Sequence, residues 1–224
     1  ANEAQEIENE LSKHWSPSHG YYLSALEMTQ TPDHQKPTQL DVSVVLAALA
    51  AEQENGILSL LDDRILATAD ALEAAFIKIY DINFDTAVGT AIGRYTEDVY
   101  FNGNPWFLTT AAYAELNYKI AHKLKHEKSF VPTRVQAEFL SRALFSAQGK
   151  TPSAVAAGVD LASSMTLKTN VVRALQVAGD RYMARIRKHA GSDGSLSEQY
   201  RRDSGFMVSA RDLTWSYAAF LRAA

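Results

Sequence analysis

The segment Gly93-Arg94-Tyr95-Thr96-Glu97-Asp98-Val99-Tyr100-Phe101-Asn102-Gly103-Asn104-Pro105-Trp106 sets one guanidinium, two carboxylates, three phenyl-type rings and an indole close together in the chain. Sugars have polar edges and flat apolar faces; bidentate Arg or carboxylate hydrogen bonds grip the edge and an aromatic plane supports the face. The same residues also suit a plainer use, an internal Arg94–Asp98 salt bridge with aromatics capping a core, and composition by itself favours it. A second stretch, Gly191-Ser192-Asp193-Gly194-Ser195-Leu196-Ser197-Glu198-Gln199-Tyr200, places Glu198 in Gly/Ser-rich chain between two helical patterns. A carboxylate there can face a cleft and act as a base; its plainer use is an exposed loop acid. Ser209, as Ser-x-x-Asp with Asp212, reads by default as a helix cap, and Trp215 reads as core. His122 and His126 have the i, i+4 spacing of metal ligands, but Lys123, Leu124 and Lys125 lie between them, so they read as a basic helix end. No Gly-x-Gly-x-x-Gly, P-loop or Gly-x-Ser-x-Gly occurs, so nucleotide and hydrolase-elbow chemistry lack their usual signatures.

Helices must position these groups. Ile7, Leu11 and Trp15 form a stripe, and Ser16-Pro17 breaks it. Residues 30–37 are loop-like. Thr38 reads as the cap of a helix carrying Leu40, Val44 and Ala47, with Asp41 three residues on. Ile65, Ala69, Leu72, Phe76 and Ile79 make the clearest amphipathic run. Residues 81–103 have no period and read as a long ordered loop, a kind of segment that usually carries function in compact domains. Asn104-Pro105 then reads as cap and first position of a helix with Tyr113, Leu116, Ile120 and Leu124. Pro132 opens another helix, Thr151-Pro152 interrupts, and a long helix carries Val171, Leu175, Ala178, Tyr182 and Ile186. A final helix bears Leu213, Tyr217 and Leu221. No stretch alternates with period two. The expectation is an all-α chain of six or seven helices without a fixed repeat, with its chemistry at 81–106 and 191–212.

Composition agrees with a packed chain: 46% of residues are hydrophobic and 21% charged, with eleven glycines and six prolines, which excludes disordered and collagen-like classes. The net charge of -4 lacks the basic excess of a nucleic-acid footprint. Absence of cysteine excludes disulfides, thiolate metal sites and a cysteine nucleophile. The longest apolar stretch, residues 44–51, is far short of a membrane span. The acidic start without Met is unlike a signal peptide, as if the chain began inside a domain.

The two loop motifs together resemble the glucoamylases. The family pattern Gly-Arg-Tyr-Pro-Glu-Asp-x-Tyr-x-x-Gly-Asn-Pro-Trp matches residues 93–106 with Thr96 in place of Pro. The family's later Ser-Glu-Gln and Leu-Ser-Ala-Arg-Asp-Leu-Thr-Trp-Ser-Tyr match Ser197-Glu198-Gln199 and residues 208–217, with Val208 for Leu. Lys36-Pro37-Thr38-Gln39-Leu40-Asp41 and Asp62-Asp63-Arg64 are family-like too. The resemblance implies an (α/α)6 barrel with its active site in loops at one end, residues 1–224 being roughly the C-terminal half of that single catalytic domain. It implies exo-acting, inverting hydrolysis of α-1,4 and, more slowly, α-1,6 glucosidic bonds, releasing β-D-glucose from the ends of starch-type glucans, with no cofactor and no metal. Glu198 falls on the general base and Ser209 on the hydroxyl that hydrogen-bonds it. Arg94 and Trp106 fall on glucose-binding positions, supported by Asp98 and Tyr100; Gln199 and Trp215 complete the expected substrate-binding set.

The general acid is the difficulty. The family carries it after a Leu-Trp-Glu-Glu segment, near a Trp-Thr-Arg-Asp clamp, and neither occurs here. The expected partners are therefore a maltooligosaccharide substrate and the N-terminal half of the same domain, with no nucleic acid and no membrane. Without that half, an apolar helix face would be exposed and the isolated chain marginal or self-associating. Two other readings stand beside this one: Glu97 or Asp98 as an internal acid, and a non-catalytic glucoamylase-like binding or regulatory module. No Asn-x-Ser/Thr sequon occurs, so an extracellular location is expected on family grounds alone.

Overall fold

Seven α-helices form where the 3.6-residue patterns lie, and a computed structural model describes them over residues 2–26, 36–148 and 154–224. They are α1 (Asn2–Ser12), α2 (Ser43–Ala51), α3 (Asp63–Ile79), α4 (Phe107–His126), α5 (Arg134–Gln148), α6 (Met165–His189) and α7 (Thr214–Ala223). Two short antiparallel pairs accompany them: β1 (Trp15–Ser16) with β2 (Tyr21–Tyr22), and β3 (Gln199–Tyr200) with β4 (Met207–Val208). The expected break at 151–152, and most of the loop at 30–37, lie outside the described residues.

Helix α4 is the centre of the packing, with α6 along its length and α7 and α2 against other faces. Its alanines at 111, 112, 114 and 121 are all buried and let neighbouring helices approach closely. A Cβ on Gly179 of α6 would stand 2.5 Å from the Tyr118 ring, so this crossing requires glycine. Buried polar side chains on α4 have partners. Glu115 takes Arg222 of α7 at 2.8 Å and Lys119 at 3.1 Å, and the Asn117 amide donates to the Tyr113 carbonyl at 2.8 Å.

Helix starts differ in how they are capped. Asp62 caps α3 through the Arg64 N–H, and Ser164 caps α6 through the Leu167 N–H. Thr133 and Gln136 form a reciprocal capping box at α5, each side chain accepting the other's backbone N–H. Thr38 caps nothing: α2 begins five residues later, and Asp41 takes the Ser43 N–H at 2.6 Å. Trp15 leaves the α1 stripe to pair in β1, because the helix ends at Ser12. Asn104 and Pro105 are not the cap and first turn of α4. The helix starts at Phe107, and the Asn104 side chain is spent on the Phe101 carbonyl and the Arg202 N–H.

The chain from 81 to 92, a 3₁₀ turn over Asp81–Phe84 followed by irregular backbone, is held by two buried polar groups. Asn83 donates to the Phe76 and Ala91 carbonyls and accepts the Ala91 N–H. Arg185 of α6 is 1% exposed and, among the described residues, pairs with no carboxylate. Its guanidinium instead donates to the carbonyls of Gly89 (2.6 Å), Ile82 (2.9 Å) and Asp85 (2.8 Å). Burial lowers its pKa, and the three carbonyl dipoles are what compensate the buried charge. Arg185→Met should cost about 3 kcal/mol, because it leaves carbonyls unpaired in the interior. Urea unfolding of the two forms measures this.

Candidate active site

The two irregular stretches meet at the start of α4. Ile92 lies against it through Trp106 N–H to the Ile92 carbonyl (3.0 Å). On the other side, Phe107 N–H donates to the Glu198 carbonyl (3.3 Å), Tyr200 N–H donates to the Pro105 carbonyl (3.1 Å), and Trp106 bridges Gln199. One helix end therefore holds the Arg94 wall and the Glu198 strand side by side.

Gly93 begins the first wall. A Cβ there would lie 2.0 Å from the Tyr80 hydroxyl, so only glycine lets the chain pass this buried phenol. Arg94 follows, its backbone carbonyl fixed by the Val42 N–H and its guanidinium by Asp98. The pairing is bidentate, Nε to Oδ2 at 2.7 Å and Nη2 to Oδ1 at 2.6 Å. The Asp98 carboxylate is 1% exposed and also accepts the Tyr100 N–H at 2.9 Å. The internal salt bridge that composition favoured is real; it engages both Asp98 oxygens, and burial closes the carboxylate to a ligand. Asp98 thus orients Arg94 from below. The guanidinium lies over the rings of Trp106 (4.9 Å) and Tyr100 (5.0 Å), and Trp106 meets Trp215 at 5.5 Å. Trp215 is 45% exposed, so it faces this aromatic group rather than the core. The buried Trp106 indole N–H has no hydrogen-bond partner among the described residues.

The second wall is Glu198, whose N–H is tied to the Ala210 carbonyl at 2.8 Å. Ser209 is no helix cap: Leu213 precedes α7, and Ser209 sits in the left-handed region with φ 68°. Such a backbone costs a β-substituted residue about 1–3 kcal/mol and persists only where its surroundings hold it. Here it turns the hydroxyl to donate to Glu198 Oε2. The Gln199 amide donates to the same oxygen at 2.9 Å. No described residue hydrogen-bonds Oε1. Gln199 is itself buried, so it fixes the carboxylate from behind.

Several residues of this arrangement escaped the motif reading. Asn104 ties the two loops by reaching Gln199 at 3.4 Å, and Tyr200 closes on Thr110 and stacks on His189. Only the Gly103-Asn104-Pro105 punctuation hinted at the first. A cavity of about 420 Å³ between α3, α4, α5 and α6 is lined by none of the sequence-predicted site residues. On its wall burial pushes Asp70 up to about 6 even though Arg142 pairs with it.

With this geometry in place, the comparisons with known proteins fall into line. The family model of glycosyl hydrolases family 15 matches residues 1–224. Glucoamylase 1 of Rhizopus oryzae is 30% identical over 98% of this chain and 36% of its own length. The glucoamylase of Neurospora crassa is 38% identical over 66% of this chain and 22% of its own. Among solved structures, the Hypocrea jecorina glycoside hydrolase family 15 glucoamylase superimposes with TM-score 0.77 at 31% identity, covering 97% of this chain and 35% of that one. The Saccharomycopsis fibuligera glucoamylase gives 0.82 at 26% identity, covering 99% and 48%. The chain belongs to glycosyl hydrolases family 15, and its all-α fold is that of a piece of the family's helical toroid. It spans about a third of the length of the curated relatives it matches.

The His189–Tyr200 stack supports the Glu198 strand, and it carries a pH dependence. Burial lowers the His189 pKa to about 4, with Arg185 and Lys188 adding to the shift against smaller opposing effects of Gly205 and Asp85. Between about pH 6.5 and 4 the unfolded chain takes a proton that the folded chain refuses, so stability falls as pH drops through that window. His189→Phe keeps the stack and removes the titration. Its melting temperature should fall less than that of the unaltered protein between pH 7 and 4.5; parallel curves would refute this.

Proposed function

We propose that the protein carrying this chain hydrolyses starch-type glucans from their non-reducing ends, cleaving α-1,4 and more slowly α-1,6 glucosidic bonds and releasing β-D-glucose. Glu198 is the general base. The observation that carries this reading is the strained Ser209, whose hydroxyl, with the Gln199 amide, engages one carboxylate oxygen of Glu198 and leaves the other without a partner among the described residues. These donors fix the orientation of the carboxylate, and the remaining oxygen is placed to take a proton from water.

The first wall supplies the substrate grip. Arg94, steered by Asp98 through Nε and Nη2, has no partner for Nη1 among the described residues and can offer it to a sugar hydroxyl. Tyr100 and Trp215, each 45% exposed, offer ring faces. Inversion needs a second carboxyl about 6.5–9.5 Å from the base, protonated to assist the leaving oxygen. Asp98 is spent on Arg94, which disfavours it as that group. We place the acid in a part of the protein outside these 224 residues, in the N-terminal half of a domain whose C-terminal part is residues 1–224. The chain alone would then be inactive. Secretion fits an enzyme whose substrate is a polysaccharide, and no described helix is long and apolar enough to cross a membrane.

Glu198→Gln in the full-length protein should cut glucose release from maltooligosaccharides by roughly 10²–10⁴-fold, the usual share of general base catalysis, with KM changed only a few-fold. A variant retaining a tenth or more of the activity would remove Glu198 from the mechanism. If neither form released glucose, the binding or regulatory module would become the better reading.

A further inference from the structure

Beneath the two walls lies one hydroxyl that touches the supports of both. Thr110, in the first turn of α4, is fully buried. Its Oγ1 is 2.9 Å from the Trp106 carbonyl, 3.2 Å from the Ile92 N–H and 2.7 Å from the Tyr200 hydroxyl. A hydroxyl has one proton and two lone pairs. The carbonyl can only accept and the amide can only donate. The Thr110 proton therefore goes to Trp106, one lone pair takes Ile92, and the other takes the Tyr200 proton. That bookkeeping fixes the direction of the whole chain of bonds and fills every capacity Thr110 has.

The partners come from both walls of the site. Ile92 is two residues from Arg94, Trp106 is itself in the first wall, and Tyr200 is two residues from Glu198. Thr109 repeats the grip beside it, donating to the Ile92 carbonyl at 2.5 Å. Tyr200 is completely buried, packed on the Phe107 ring at 4.7 Å and stacked on His189 at 4.9 Å. Its phenol has no route to a ligand and no other hydrogen-bond partner among the described residues. It reaches the site only through Thr110.

We propose that Thr110 and Tyr200 are positioning residues that set the spacing between Glu198 and the Arg94–Trp106 wall, so that water and substrate meet at the reacting distance. This rests on the proposed glucan hydrolysis. Neither residue touches substrate; both act through the backbone they hold. The spacing matters to the transition state more than to ground-state binding, because a misplacement of about 1 Å between base and substrate can cost of the order of 100-fold in rate.

The test compares Thr110→Val, Thr110→Ser, Tyr200→Phe and the Val/Phe double variant in the full-length protein, with maltose, below each variant's melting temperature. Thr110→Val should lower kcat roughly tenfold or more with KM within about threefold. Thr110→Ser should restore kcat to within about threefold of the unaltered protein. The double variant should lose no more than Thr110→Val alone, because both changes break one connection. A folded Thr110→Val protein with a smaller loss of kcat, or additive losses in the double variant, overturns the proposal. If Thr110→Val does not fold, the comparison of Tyr200→Phe with the unaltered protein decides by the same kcat criterion. If the unaltered protein releases no glucose, it is the hydrolysis reading that fails. A crystal structure of Tyr200→Phe then reads the spacing directly: movement of the Glu198 carboxylate relative to Arg94 supports the proposal, and superposition overturns it.

Discussion

The candidate site depends on one docking event, the seating of the 198–200 strand on the start of α4. Phe107 N–H, which an α-helix leaves without an internal partner, finds the Glu198 carbonyl, and the Pro105 carbonyl takes Tyr200 N–H. The helix end thereby gains partners for groups it would otherwise leave to water. In return it fixes the strand that carries the carboxylate. Arg94 comes from the opposite side of the same helix end through Ile92. Residues roughly a hundred positions apart in sequence become neighbours because one helix terminus needs both segments.

Charge at the site is arranged on the same plan. Arg94 is oriented by a buried carboxylate with both oxygens engaged, and Glu198 is oriented by a hydroxyl and an amide gathered on a single oxygen. Each charged group is held on one side and open on the other. The left-handed Ser209 and the buried Trp106 N–H, without a partner among the described residues, are local costs that packing alone does not reward. They are the kind of exception that a binding or catalytic surface accounts for.

The helices were legible in the sequence because their apolar spacing is set by burial: the runs from Ile65, Tyr113 and Val171 lie in α3, α4 and α6, and of the last run only Leu213 falls outside α7, immediately before it. Helix starts were less legible. Thr38, Asn104 and Ser209 all have capping side chains, yet Asn104 and Ser209 are drawn elsewhere by contacts distant in sequence, and Thr38 takes the Leu40 N–H in a turn ahead of α2. The site residues were named by motif resemblance, while the plain reading of composition pointed to the Arg94–Asp98 salt bridge. The structure contains that salt bridge, so the two readings describe one object: the pair is what aims the guanidinium. Thr110, Tyr200 and Arg185 were invisible beforehand, since a buried hydroxyl or arginine announces itself only by the partners that surround it.

The most direct measurement is the configuration of the first glucose released by the full-length protein, followed by proton NMR before the anomers equilibrate. A base at Glu198 that activates water on the face opposite the leaving group predicts β-D-glucose. Initial release of α-D-glucose would mean that the carboxylate attacks the sugar itself or takes no part, and would contradict the role assigned to the Glu198–Ser209 pair.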